Sequence, residues 1–365
     1  MKIALLGDIA LFGRASLSQN QKAELYFHSV AQCLERFDYV VANLESPFSS
    51  SHKKYGAKSA FLYSEPENIE ILKQLHLNAV TIANNHMFDY GKEGYELTKR
   101  LLDEAGIKWF GAEGKDLKVE IDGSKLAFSG WCCYSTNPQG CSSYGGYGIN
   151  ELDVSVLENK IGDYNREQWL NVVAIHMGIE HVNYPSLDTI HLAERLAKAG
   201  NLIFYGHHPH VAQPVTMSGG SLIAYSLGNF CFDDTYANSA DKEPLVRMSE
   251  ENRSSFILSV TIEKSNIKNY EIIPIYIGKT EIEVGRGITK EKLDGYLEKM
   301  NSLSTADYSS MRLEQRMEWV RPRKAKRNLS WFIKRLRPMY AKLMLTNRQN
   351  TKKYRKHVSS QLKIV

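Results

Sequence analysis

Two features of this 365-residue chain predict an α/β fold. Short β-branched runs alternate with amphipathic helical segments, the order expected of strand–helix–strand units. Five apolar runs end abruptly in Asp, Asn, Glu or His, as they do where ligands gather at the carboxyl ends of strands. Hydrophobic residues at 43% and charged residues at 24% are ordinary for a globular protein. The length allows one large domain with an appendage.

Taken in order, Lys2–Leu6 predicts the first buried strand, and it stops at Gly7-Asp8. That apolar run is too short for the apolar region of a signal peptide. Tyr39–Ala42 and Ala79–Ala83 predict the next two strands. Between them Ser64-Glu65-Pro66-Glu67 reads as a capping box with Pro in the first turn of a helix. Gly91–Ala105 has helical spacing and ends at Gly106. Lys125–Ser129 is a strand, and Gly140–Gly148, carrying Tyr144 and Tyr147, is a flexible surface loop, with a lid over the site as the alternative. Val172–Ile175, Leu202–Tyr205 and Leu222–Tyr225 are strands, and Leu187–Ala199 is a helix closed by Gly200. Ser255–Ile277 predicts an antiparallel hairpin turning over Lys264–Lys268. A helix follows over 288–320, then a basic tail. The expected units are therefore residues 1–285, 286–320 and 321–365.

Charge is distributed unevenly. From Thr305 to Val365 there are 17 Lys+Arg against 3 Asp+Glu, so the acidic residues outnumber the basic ones in the rest. In Trp331–Leu345, Phe332, Leu336, Met339, Tyr340 and Leu343 form one helical stripe flanked by Lys334, Arg335, Arg337 and Lys342, with a kink expected at Pro338. Such a helix either lies on an anionic membrane surface or packs its stripe on the body. No recognition motif points to nucleic acid. No run approaches the roughly 18 apolar residues of a membrane span. Five cysteines without a CxxC pair fit reduced thiols, hence a cytoplasmic protein, peripheral to the inner face of the membrane if the tail docks there.

The chemistry sits at the strand ends. Gly7-Asp8, Asn43-Leu44-Glu45, Asn84-Asn85-His86 with Asp89, His176-Met-Gly-Ile-Glu180-His181 and Gly206-His207-His208-Pro-His210 each follow an apolar run. Six of the 11 histidines fall there. Imidazoles with carboxylates suit Zn²⁺, Mn²⁺ or Fe²⁺ better than Ca²⁺ or Mg²⁺. The set is large enough for two adjacent ions holding a hydroxide for in-line displacement at phosphorus. No GxxxxGK[ST] motif is present, so an ATP-driven ligase of the P-loop type has no support.

These motifs, followed by Ser226-Leu-Gly-Asn-Phe230, resemble in their order the CapA-like capsule-polymer biosynthesis proteins, related in plan to the calcineurin-like metallophosphoesterases. The likeness spans about Met1 to Asp233. It implies a two-sheet αββα sandwich with metals at the sheet edge. It assigns Asp8 and His210 to a first metal, Glu45 as a bridge, and Asn85, His176 and His208 to a second. His86 becomes the general acid, oriented by Asp89. Beside these, the residues themselves make Asn43, Asn84, Glu180, His181, His207 and Asn229 candidates for substrate contacts or supports of the ligands, with a purely structural role the alternative for His181, His207 and Asn229. Two departures stand out: Ala10 replaces the usual first-motif His, and Met177 replaces a frequent Trp. The implied function is hydrolysis of a phosphoester, on a polymer or a phosphorylated small molecule, during capsular or exopolysaccharide synthesis. The alternatives are a non-hydrolytic accessory protein that binds polymer or a membrane synthase, and an amide-bond enzyme of poly-γ-glutamate synthesis.

Overall fold

The computed structural model describes residues 1–51, 53–56, 58, 60–236, 242–325 and 338–362, without the side chains of 323, 325 and 338–340. In chain order the strands are β1 Lys2–Ile9, β2 Tyr39–Leu44, β3 Ala79–Thr81, β4 Lys108–Phe110, β5 Leu117–Ile121, β6 Ser124–Cys132, β7 Cys141–Ser142 and β8 Ile149–Asn150. They continue as β9 Leu170–His176, β10 Leu202–His207, β11 Val215–Ser218, β12 Ser221–Ala224, β13 Asn229–Cys231, β14 Ser254–Glu263, β15 Asn266–Ile277 and β16 Ile282–Val284. One sheet runs β16-β15-β14-β1-β2-β3-β4, with β13 also paired to β1. The other runs β11-β12-β10-β9-β6-β5. Both centres are parallel, and antiparallel strands close the edges at β14–β16, β5 and β11.

Alternation along each strand builds the layers, because successive side chains point to opposite faces. Ile3, Leu5, Val41, Phe128, Val172, Ile203 and Leu258 meet between the sheets. Ala4, Leu6, Val40 and Ala42 face outward onto helices His28–Leu34, Ile69–Gln74 and Gly91–Glu104. Val173, Ile175 and Phe204 do the same for helices Val154–Arg166 and Leu187–Ala199. The molecule is thus a two-sheet αββα sandwich.

Several local expectations are corrected. The segment at Ser64 has no capping box: Pro66–Asn68 is a 3-10 turn, and the Ser64 hydroxyl accepts from Asn68 instead. Gly200 has φ 170°, so extended backbone rather than a left-handed cap ends the preceding helix. The hairpin turns over Lys264 and Ser265 alone, both with positive φ. The helix expected over 288–320 is two, Lys290–Ser302 and Thr305–Ala325. Ser304 separates them, its hydroxyl accepting from the Asp307 amide at 3.2 Å to start the second. The loop Gly140–Gly148 is pinned by the β7–β8 pair and by Tyr144 stacked on Trp131 at 5.2 Å.

The stripe residues Phe332 and Leu336 lie outside the described residues. Beyond them, helix Pro338–Tyr354 and the turn after it lie against the body. Val358 is buried in the outer layer of the second sheet. His357 pairs with Asp153 at 2.7 Å, and Lys353 donates to the Tyr134 hydroxyl at 2.9 Å. No helix among the described residues is long and apolar enough to cross a membrane. Val358→Asp buries a charge without a partner and is expected to free this terminal segment while the body stays folded. Hydrogen exchange checks this: protection should fall over 350–362 alone, and unchanged protection there would contradict the packing described.

Candidate metal centre

Strand register and two close approaches of backbone assemble the site. Asp8 lies opposite Asn43 on β2 and Asn229 on β13, and His207 lies opposite His176. The segment Ser226–Phe230 straps the sheets together, with Leu227 donating to the Gly206 carbonyl at 3.1 Å and Asp8 donating to the Gly228 carbonyl at 3.0 Å. A Cβ at Gly7 would lie 2.1 Å from the Gly228 oxygen, and one at Gly206 1.9 Å from the Tyr225 oxygen. Only glycine lets the strands converge there, which explains both Gly-Asp and Gly-His pairs.

Asp8 and Glu45 are both fully buried. Asp8 is held on every side. Its Oδ1 accepts from Asn43 at 2.9 Å and meets His207 Nδ1 at 2.8 Å, and its Oδ2 accepts from the His208 amide at 3.2 Å. Burial alone would raise its pKa, but the hydrogen bond and charge of His207, with His210 and His176 behind, hold it well below the carboxylate range. Glu45 has no such support: among the described residues neither carboxylate oxygen has a hydrogen-bond partner. Its Oε1 lies 3.6 Å from His210 Nε2 and 4.0 Å from His86 Nε2. Burial first, then the neighbouring Asp8 and Glu180, push it well above its ordinary pKa.

The remaining candidates surround this pair. Asp8, Glu45 and His210 offer ligand atoms that all lie within 4.8 Å of one another. Asn85 Oδ1 meets His176 Nε2 at 2.9 Å, and the His176 and His208 rings are 4.9 Å apart. Burial lowers His176 far below its ordinary value and pushes His208 down to about 4. Both are therefore neutral imidazoles at neutral pH, the form that binds metal. His208 and His210 occupy left-handed backbone, φ 95° and 57°, at a cost of about 1–3 kcal/mol each. Orphaned buried carboxylate oxygens beside neutral histidines fit a divalent cation in donor chemistry.

The supporting residues divide by task. Asn84 Nδ2 donates to Asn43 Oδ1 at 3.1 Å, and its own oxygen accepts from the His86 amide at 3.0 Å. Asn43 is consumed by this chain, passing it on to Asp8. Asn229 Oδ1 meets His210 Nδ1 at 2.9 Å and so sets that ring. His86 Nδ1 bonds Asp89 Oδ2 at 2.7 Å, which turns Nε2 toward Glu45. Glu180 and His181 line the open cavity with His86, His210 and the apolar Leu62, Phe232 and Met248. Ala10 is buried in the outer layer of the first sheet, where its amide bonds the Cys231 carbonyl. Met177 belongs to the outer layer of the second.

Two residues escaped the motif reading. Lys58 pairs with Asp89 at 2.6 Å and also contacts the Asn85 carbonyl. It comes from a loop without periodicity or motif. Trp319 stacks on His181 at 4.1 Å from the Thr305–Ala325 helix. An aromatic in an otherwise highly charged helix was its only signal.

The profile described as "Bacterial capsule synthesis protein PGA_cap" matches residues 2–234. The PGA biosynthesis protein CapA of Bacillus subtilis is 27% identical over 303 residues, 80% of this chain and 76% of that protein. The capsule biosynthesis protein CapA of Bacillus anthracis is 29% identical over 317 residues, 81% and 75% respectively. Among solved structures, a putative 5'-nucleotidase from Staphylococcus aureus aligns with TM-score 0.47 at 14% identity, over 82% of this chain and 58% of that one.

Asn229→Ala leaves His210 without its ring partner, so Mn²⁺ affinity should fall about 10–100-fold. Calorimetric titration checks this, and an unchanged affinity would reduce Asn229 to a turn residue.

Proposed function

Because the chain belongs to the bacterial capsule synthesis protein family, we propose that it is a metal-dependent hydrolase acting on a phosphoester during the making of a capsular polymer. The observation that carries this reading is the orphaned Glu45 carboxylate, set between the Asp8–His210 group and His86.

Asp8, Glu45 and His210 would hold one divalent ion, and Asn85, His176 and His208 a second, with Mn²⁺, Zn²⁺ or Fe²⁺ suited to the donors. When bound, such a pair supplies Lewis-acid polarisation of the phosphoryl oxygens and a water of low pKa. The protein's own part is placement. Asp89 accepts from His86 Nδ1, leaving Nε2 as the atom that faces the site. In its protonated form Nε2 gives its proton to the departing oxygen as the P–O bond breaks, and water supplies the new oxygen on phosphorus. Burial first, then the charge of Lys58, lowers His86, while Asp89 pulls the other way. Lys58 in turn keeps Asp89 ionised. Leu62, Phe232 and Met248 give the substrate an apolar wall beside the reacting group.

A non-hydrolytic accessory role is the second reading, and Ala10 favours it. Its methyl group sits in an apolar layer and supplies no ligand for the first ion. The probable polyglutamine synthesis accessory protein Rv0574c of Mycobacterium tuberculosis, 22% identical over 283 residues, bears that description.

The test is a phosphoester panel run on the Mn²⁺- or Zn²⁺-loaded chain. Hydrolysis is expected, with His86→Asn lowering kcat about 10²–10⁴-fold while metal content is kept. A metal-loaded, folded protein that turns over none of the panel would transfer the assignment to the accessory reading.

A further inference from the structure

The helix Pro338–Tyr354 has two unlike sides. Residues about 100° apart per step share a face when three, four or seven positions apart. Leu343, Thr346 and Tyr354 are half-buried and Asn350 is buried, so one face rests on the body. On the opposite face Met344 is 73% and Leu345 62% exposed, and Arg348 and Lys352 are exposed beside them. No Asp or Glu occurs from Trp319 to Val365, so no acidic neighbour within this segment neutralises these cations.

We propose that this outward face docks on an anionic bilayer and holds the sheet edge carrying the metal-ligand cluster at the membrane surface. Adjacent large apolar side chains flanked by Arg and Lys match the acyl boundary and the anionic headgroups respectively. A soluble polyanion would satisfy the cations and leave Met344 and Leu345 in water. The helix is fixed to the same edge as the site. Asn350 Nδ2 donates to Asn137 Oδ1 at 2.7 Å, and the carbonyl of the preceding Thr136 accepts from Asn85 Nδ2 at 3.2 Å. Lys353, bonded to the Tyr134 hydroxyl, anchors the next turn to the same loop. A docked helix therefore fixes the edge that carries Asn85 relative to the bilayer, whatever reaction the site performs.

Co-sedimentation of the full chain tests this. Vesicles of phosphatidylcholine alone are compared with vesicles in which about 30% is phosphatidylglycerol. The chain is expected to sediment with the anionic vesicles only, and less so as salt rises. The exposed double variants Met344→Ser/Leu345→Ser and Arg348→Glu/Lys352→Glu should each lower partitioning at least about tenfold. Their melting curves should match the parent, since neither pair packs on the body. Equal partitioning on both vesicles, or parent-like partitioning of both variants, would overturn the proposal. So would binding confined to a soluble polyanion such as polyglutamate and untouched by the Ser/Ser change.

Discussion

Two neighbouring buried carboxylates are the constraint on which this molecule turns. Asp8 and Glu45 are both fully buried at one edge of the sandwich, and among the described residues neither oxygen of the Glu45 carboxylate has a hydrogen-bond partner. Leaving a charge in that state costs several kcal/mol unless it is paired, protonated or bound to a cation. Two of the surrounding rings add no countercharge, because burial keeps His176 and His208 in their neutral forms. A neutral imidazole offers a lone pair rather than a countercharge. Acid oxygens close to imidazole lone pairs are a donor set that would suit a positive ion.

The fold supplies the stiffness that such a pocket needs. Parallel strands bring Asp8 beside Asn43 and His207 beside His176 without any loop having to find its own path. The Ser226–Phe230 strap crosses between the sheets, and the glycines at 7 and 206 let backbones approach where a methyl group would collide. Around the ligands a second set of side chains is already committed. Asn43 and His207 hold Asp8, Asn229 holds His210, and Asp89 with Lys58 holds His86. Preorganisation of this sort is what separates a metal site from a chance cluster of acids and histidines.

Much of this was legible in the residues, for physical reasons. A strand buried on both faces reads as an unbroken apolar run, so a polar group at its end is conspicuous, as at Asp8, Asn43 and His176. The short strands β4 and β13, three residues each, are below the length at which periodicity can speak. Roles inside a motif were less visible than the motif. His207 and His208 are neighbours in sequence, yet one pins Asp8 while the other turns toward His176 through a left-handed backbone at φ 95°. Lys58 and Trp319 reach the site only through tertiary contact. The break at Ser304 was hidden because the helical pattern continues on both sides of it.

The buried acid–histidine cluster has the donor set of a divalent-cation site. Elemental analysis of the native protein beside Glu45→Gln tests it most directly. Mn, Zn or Fe is expected in the native chain, close to two ions, and clearly less in a folded variant that has lost only that charge. A native protein that carries no transition metal, and takes up none when supplied with it, would show that the cluster is not a metal site.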